Sequence, residues 1–219
     1  MTRFFDANGR PAGTTTVSDA LDRLGVDGGC RALKPIQPGT VCAGPAVTIL
    51  FGPAAPGTSA PAADYIDDIP AGAVIVMDNG GRSDCTVWGD ILSACAVARG
   101  VAGTVIHGCC RDSAGIRELG YPVFALATYM KSGKGRTRMI ARDVPVTIGG
   151  TSVHPGDLIV GDDDGVIAIP QALVGDVARM AAEIAAIEER VLAAVAAGTS
   201  LAEARAANGY HAFAWRGAR

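Results

Sequence analysis

The chain has 219 residues, with 49% hydrophobic and 19% charged side chains and a formal net charge of −3. A chain of that length and apolar content buries a full core without disulfide or metal staples, and it is too rich in core-forming residues to be disordered throughout. The basic residues do not cluster, apart from five between Lys131 and Arg142, which excludes the electrostatic footprint of a nucleic-acid binder.

No apolar run reaches the ~18 residues of a bilayer span, so no membrane partner is expected. The segment Met1–Asp6 lacks the apolar stretch of a secretory leader, and a cytoplasmic protein is expected. In chain order, Val17, Ala20, Leu21 and Leu24 share one helical face, closed by Gly25. Residues 46–51 read as a strand, followed by a Gly/Pro/Ala-rich loop over 52–61 and a helical turn over 63–69. Residues 73–77 form a continuous apolar strand that Asp78-Asn79-Gly80-Gly81 breaks. The pattern then predicts a helix over 88–99, a buried strand over 103–108, a helix over 112–119 and a strand over 123–126. Strands and helices alternating through short connections are the signature of parallel βαβ units. Apolar runs on both faces fit a central sheet covered by helices.

Beyond residue 127 the pattern changes. Short strands over 144–148, 151–153, 157–160 and 166–169, separated by glycine turns, predict a small antiparallel or barrel-like β-layer. Residues 171–197 form a long Ala-rich helix with one apolar stripe through Leu173, Val177, Met180, Ile184, Ile187, Val191 and Val195. A capped turn over 200–207 follows. The fold class is therefore α/β: one domain over 1–219, with a central parallel or mixed sheet, a small β-layer and a C-terminal helical arm over 171–219. The stripe suits own-core packing and a subunit interface equally.

Six cysteines, Cys30, Cys42, Cys85, Cys95, Cys109 and Cys110, form no C-x-x-C pair and have only three histidines for company. Structural zinc needs close-spaced ligand pairs, so these read as small buried hydrophobes in a reducing compartment.

Residues 80–120 carry the chemistry. Gly80-Gly81 follows a strand, Gly89-Asp90-Ile91-Leu92 opens a helix, and Gly108-Cys109-Cys110-Arg111-Asp112 joins a strand to a helix. Ligands of α/β proteins bind at the carboxyl ends of parallel strands, and helix N-termini add free N–H groups suited to an anion. Each residue also has a plain structural reading: Asp112 as a helix N-cap, Asp90 as a complement to the helix dipole, Arg111 as a surface charge. Arg111 follows an apolar strand and two cysteines, so it is expected to be partly enclosed, where a guanidinium is a bidentate partner for a carboxylate.

The spacing of Asp90 from Arg111-Asp112 resembles that of the 4-hydroxy-4-methyl-2-oxoglutarate aldolase family, which includes the RraA-like regulators of ribonuclease E activity. Further matches are Trp88-Gly89-Asp90, Arg99-Gly100-Val101-Ala102-Gly103, Arg117 to Phe124, Val153 to Ile159, Asp162 to Val166 and Ser18-Asp19-Ala20-Leu21. Together they span about residues 15–200. The resemblance implies a swivelling β/β/α-type fold assembled as a homotrimer or a hexamer of two trimers, with the helical arm packed on a neighbouring subunit. It implies a class II aldolase with Mg²⁺ or Mn²⁺, acting on a small oxo-acid. Asp112 is expected to bind the metal, Arg111 to hold the pyruvyl end, and Asp90 to orient metal-linked waters. Backbone N–H groups of Gly89, Asp90, Ile91 and Leu92 are expected to bind the pyruvyl carboxylate. A glutamate from a neighbouring subunit's C-terminal helix also reaches the site in the aldolases; Glu188 matches best and Glu189 next.

The physical logic agrees. Retro-aldol cleavage leaves a pyruvate enolate, and the only lysines, Lys34, Lys131 and Lys134, lie beside Pro or Gly in loop-like segments rather than in an apolar strand that would lower their pKa. A divalent Lewis acid is the remaining route. Oxaloacetate decarboxylation passes through the same enolate and is expected as a side activity. The alternatives are a non-catalytic regulator that binds ribonuclease E, which tends to lack the acidic residues present here, and a same-fold lyase for a different acid. His107 stands where many relatives carry Asp and reads as a structural residue or one that supports the site from behind rather than as a ligand, and Cys109-Cys110 is an unusual pair. The positive charges between Lys131 and Arg142 suit a second substrate carboxylate.

Overall fold

The computed structural model describes residues 11–55 and 64–210. They fall into two compact units, residues 29–171 on one side and the segments before 29 and after 171 on the other.

The larger unit begins with β1 (Gly29–Cys30), β2 (Lys34–Pro35) and the long β3 (Cys42–Pro53). A 3₁₀ turn over Asp64–Asp68 precedes β4 (Val74–Asp78), β5 (Thr86–Trp88), helix α1 (Asp90–Ala98), β6 (Gly103–Cys110), helix α2 (Ser113–Leu119) and β7 (Val123–Thr128). Then come β8 (Thr137–Arg142), β9 (Val146–Ile148), β10 (Thr151–Val153), β11 (Leu158–Asp162) and β12 (Gly165–Ile169).

Ten of these strands share one mixed sheet, in the path β1-β12-β11-β3-β4-β6-β7-β2, with β5 added beside β6 and β8 beside β3. The β3-β4-β6-β7 core is parallel, as the alternation of strands and helices predicts. Only three residues, 31–33, separate β1 from β2, which occupy the two ends of that path. The sheet therefore curls back on itself.

Alternation along the strands divides the core in two. Ile75 and Met77 of β4, Ile106 of β6 and Val123 and Ala125 of β7 join Ala96 and Ile116 of the helices. Val74, Val76, Val105 and Phe124 face the opposite way and pack with Val146, Ile148, Val153, Ile159 and Val166. The first layer is a helix-covered face and the second a strand-covered one, as side chains with a period of two require.

The sequence-based boundaries need three corrections. Trp88 does not open a helix but ends β5, which pairs in parallel with the carboxyl end of β6, with a register shift between Thr86 and Trp88. The basic stretch is loop only to residue 136; Thr137–Arg142 is β8, antiparallel to β3 with a bulge between Leu50 and Phe51. The short late strands do not form one separate layer. β9 and β10 make a two-stranded sheet, while β11 and β12 enter the main sheet through β3.

The smaller unit contains α3 (Thr14–Arg23), first in the chain, and α4 (Val174–Ala196), which follows a 3₁₀ turn at Gln171–Leu173. The helix α5 (Leu201–Ala207) completes it. Val17, Ala20 and Leu21 of α3 are buried, as are Val177, Ala181, Ile184, Ile187 and Val191 of α4, and the two helices pack together. α5 carries a full capping box: the Ser200 hydroxyl accepts from the Glu203 N–H while Glu203 accepts from the Ser200 N–H. None of the described helices is long and apolar enough to cross a membrane.

Candidate active site

The carboxyl ends of β5 and β6 lie side by side, so the residues that follow them meet. The Arg111 N–H donates to the Trp88 carbonyl at 3.0 Å, which places Gly89 directly against Arg111 and Asp112. Gly89 is the residue before α1, and its missing side chain is a steric requirement: a Cβ there would stand 2.6 Å from Asp112 Oδ2 and 3.4 Å from Arg111 Cγ. Trp88 is locked behind it. Its indole N–H donates to Ser93 Oγ at 2.8 Å, and its ring stacks on Tyr121 with centroids 6.1 Å apart.

Asp112 occupies the N-cap position of α2, yet its side chain caps nothing. Its backbone is left-handed, with φ of 55°, a conformation that costs a residue with a Cβ of order 1 kcal/mol or more. Instead of capping, the carboxylate lies with Oδ2 3.1 Å from Arg111 Nε. Its Oδ1 has no hydrogen-bond partner among the described residues. Both side chains are a little over one-third exposed, Arg111 37% and Asp112 36%, so the pair is half-enclosed, as the sequence suggests for Arg111.

Asp90 stands at the start of α1, where Oδ1 accepts the Ile91 N–H at 2.7 Å. Its Cβ sits where a side chain on Gly115 of α2 would be, 3.0 Å away. Of the four backbone N–H groups expected to bind a carboxylate, Ile91's is thus already engaged, and those of Asp90 and Leu92 are the first-turn donors left to a ligand. Glu188 and Glu189 lie on α4 in the other unit, the first half-buried and the second exposed.

Neither glutamate lines the cleft of about 550 Å³ onto which Asp90, Arg111 and Asp112 open. It is lined by Thr86 to Leu92 with Arg111 and Asp112, by the segment Ser132 to Gly135 with Thr137, Arg138 and Met139 as a second wall, and by Phe51, Ala54 and Tyr65. The wall is bonded down at several points. Lys131 O accepts both the N–H and the hydroxyl of Thr86, the single hydroxyl proton of Thr137 lies within reach of Gly52 O and Asn79 Oδ1, and Arg82 donates to Arg136 O while paired with Asp84. The charged ends of Lys134 and Arg138 make no ion pair among the described residues. The basic stretch signalled this wall in the sequence; nothing signalled the aromatic lining, because Phe51 and Tyr65 read as ordinary strand and helix residues.

His107 is not in the cleft lining. Its Nδ1 lies 3.1 Å from Asp78 Oδ1, and Asp78 also accepts the Gly80 and Thr147 N–H groups. The cysteines are free. Burial pushes the Cys42 and Cys110 thiols up to about 12, and those of Cys85 and Cys109 upward as well, so all four stay neutral at physiological pH.

A divalent cation suits this donor set. No group of three or more His, Cys, Asp or Glu side chains gathers anywhere among the described residues. Asp112 Oδ2 stands over Gly89 beside Arg111 Nε, which leaves Oδ1 as the unengaged carboxylate oxygen, and one carboxylate with several waters is how Mg²⁺ is commonly held.

A half-enclosed guanidinium–carboxylate pair thus lies beside a helix N-terminus at the carboxyl edge of parallel strands on an α/β fold. The chain belongs to the RraA-like family, described as Aldolase/RraA, whose model matches residues 14–168. Protein DlpA of Legionella pneumophila is 43% identical over 191 residues, covering 86% of this chain; this chain spans 31% of that protein's length. A Halalkalibacterium halodurans protein with the provisional name 4-hydroxy-4-methyl-2-oxoglutarate aldolase is 36% identical over 160 residues, 72% of each chain. The crystal structure of Streptomyces coelicolor RraAS2, described as an unusual member of the RNase ES inhibitor RraA protein family, matches with a TM-score of 0.75 at 29% identity, over 81% of this chain and 90% of that one. The fold is that of this family: a mixed sheet, a small two-stranded sheet and a long C-terminal helix.

Proposed function

We propose that the chain is a divalent-metal-dependent aldolase that cleaves 4-hydroxy-4-methyl-2-oxoglutarate-type oxo-diacids to pyruvate and a second oxo-acid, with oxaloacetate decarboxylation as a side activity. The observation that carries this reading is the Arg111–Asp112 pair, 3.1 Å apart, folded over Gly89 in a strained backbone that no capping bond explains.

In this reading the N–H groups of Asp90 and Leu92 and the Arg111 guanidinium hold the pyruvyl carboxylate and the adjoining oxo group. Asp112 would hold a Mg²⁺ or Mn²⁺ ion, which would supply Lewis acidity for the enolate charge. Arg111 adds a fixed positive charge beside the same oxygen, with no reorganisation at the moment of cleavage. The substrate hydroxyl loses its proton to a water oriented by Asp90, or by Glu188 from a neighbouring subunit of a homotrimer or hexamer. The C3–C4 bond then breaks, its electron pair passing to the enolate, which takes up a proton at C3 to give pyruvate. Lys134 and Arg138, without counter-charges among the described residues, suit the carboxylate on C4. Lys134 is exposed, a poor setting for Schiff-base chemistry.

The description of RraAS2 supports a second reading, a regulator that acts by binding a ribonuclease. The two separate in one pair of measurements: pyruvate release from 4-hydroxy-4-methyl-2-oxoglutarate or oxaloacetate with Mg²⁺, and inhibition of ribonuclease E by the same preparation. Pyruvate from either acid, lost with chelator and restored by Mg²⁺, is the expected result. Ribonuclease inhibition without pyruvate from either acid rejects the aldolase.

A further inference from the structure

The cleft is larger and more apolar than a short oxo-diacid needs. Its ~550 Å³ falls in the range of roughly 300–1,000 Å³ that receives drug-sized ligands. Two rings, those of Phe51 and Tyr65, line the cleft. Phe51 and Tyr65 meet edge to face, with centroids 6.4 Å apart and planes at 77°, so each fixes the other.

Tyr65 presents ring carbon rather than hydroxyl. It lines the cleft, but it is only 7% exposed and its hydroxyl oxygen is buried without a hydrogen-bond partner among the described residues. Burial also drives its pKa upward, so the phenol neither donates a proton to a ligand nor ionises beside one. Met139, 43% exposed on β8, contributes a large flexible apolar side chain to the same cleft. Met and aromatic surfaces together favour aromatic partners. Lys134 and Arg138 line the same cleft.

From this we infer that the substrate's C4 carries a bulky apolar group, aromatic or branched, in place of methyl. Resting on the aldolase reading, the inference specifies the substrate as a 4-hydroxy-2-oxo-diacid whose C4 bears a carboxylate for Lys134 and Arg138 and an apolar group for Phe51, Tyr65 and Met139. Cleavage of its C3–C4 bond, with loss of the hydroxyl proton and return of a proton to C3, gives pyruvate and an apolar 2-oxo acid such as an aryl pyruvate. No oxidant or reductant is consumed. The class of reaction that supplies or consumes such acids is transamination of aromatic or branched amino acids.

The test uses the full chain with Mg²⁺ and two substrates, 4-hydroxy-4-methyl-2-oxoglutarate and its 4-benzyl counterpart. The benzyl compound is expected to show kcat/KM about tenfold higher or more, the discrimination an apolar pocket gives to added hydrocarbon. Met139→Asp and, as a gentler change, Phe51→Leu should each cut the benzyl-to-methyl ratio. Calorimetry with phenylpyruvate and pyruvate provides a readout independent of turnover, and phenylpyruvate should bind about tenfold tighter. Turnover of the methyl substrate with none of the benzyl overturns this inference while leaving the aldolase reading intact. If neither substrate reacts, the aldolase reading fails, and equal binding of the two pyruvates then overturns the role of the apolar lining as well.

Discussion

Asp112 is the residue at which the structural and functional readings part. An N-cap aspartate earns its place by bonding the helix N–H groups; this one sits left-handed and leaves them alone. Replacement by glycine relieves the left-handed strain and removes the carboxylate. Asp112→Gly should therefore fold with stability unchanged or raised by up to about 1 kcal/mol, measured by urea unfolding, and should lose pyruvate release. A loss of more than about 1 kcal/mol would show the carboxylate to be structural. Gly89→Ala is the complementary change. Its Cβ meets Asp112 Oδ2 at 2.6 Å, so activity should fall at least tenfold, by the logic that a displacement of about 1 Å costs about 10²-fold. By contrast, Asp157 is a carboxylate with a structural task. It is 6% exposed and accepts the His154 and Gln171 N–H groups at 2.8 and 3.1 Å. Asp157→Ala strands both donors and should cost about 2 kcal/mol in the same unfolding measurement.

At the scale of elements, the cysteines and the capping box give sharp expectations. Cys30, Cys42, Cys85, Cys109 and Cys110 are buried and Cys95 is partly open, so a thiol reagent should label Cys95 first in the native protein and the rest only on unfolding. In α5, Glu203 is held below the usual carboxylate range by the Ser200 hydroxyl and N–H. A depressed folded-state pKa stabilises above the unfolded value and is lost as pH falls through the folded one; the protection of amides at the start of α5, taken relative to their intrinsic exchange rates, should therefore fall on acidification below the ordinary glutamate range and hold steady above it.

The elements most legible in the sequence were those whose pattern is local. The apolar run of β4 and the glycine that follows α2 are examples, since both are written within a few residues. β5 was missed because three residues, Thr86 to Trp88, carry too short a pattern, and β8 because Thr137–Arg142 is charged and owes its extended form to backbone bonds with β3, more than eighty residues earlier in the chain. The same distance in sequence hid the entry of β11 and β12 into the main sheet. The candidate site was legible around Arg111 and Asp112, where strand–helix junctions announce ligand-binding ends. Its aromatic lining was not, because only folding brings Phe51 and Tyr65 beside Met139.

For the whole molecule, the lining of the cleft comes from residues 29–171, and the question is what the remaining residues add. The proposed answer is Glu188, delivered to the site of a neighbouring subunit. Glu188→Gln and Asp112→Ala should each be nearly inactive alone. When co-expressed as a mixed assembly they should recover part of the activity, because some sites then receive an intact Asp112 and an intact Glu188 from different subunits; no recovery in a demonstrated mixed oligomer contradicts that role.

The most direct test of the central claim follows Mn²⁺ binding and pyruvate release together in the wild-type chain and in Asp112→Ala, with circular dichroism on both. The account predicts that the wild type binds Mn²⁺ and releases pyruvate from 4-hydroxy-4-methyl-2-oxoglutarate, and that Asp112→Ala keeps its fold and does neither. Undiminished Mn²⁺-dependent pyruvate release by a folded Asp112→Ala would contradict it.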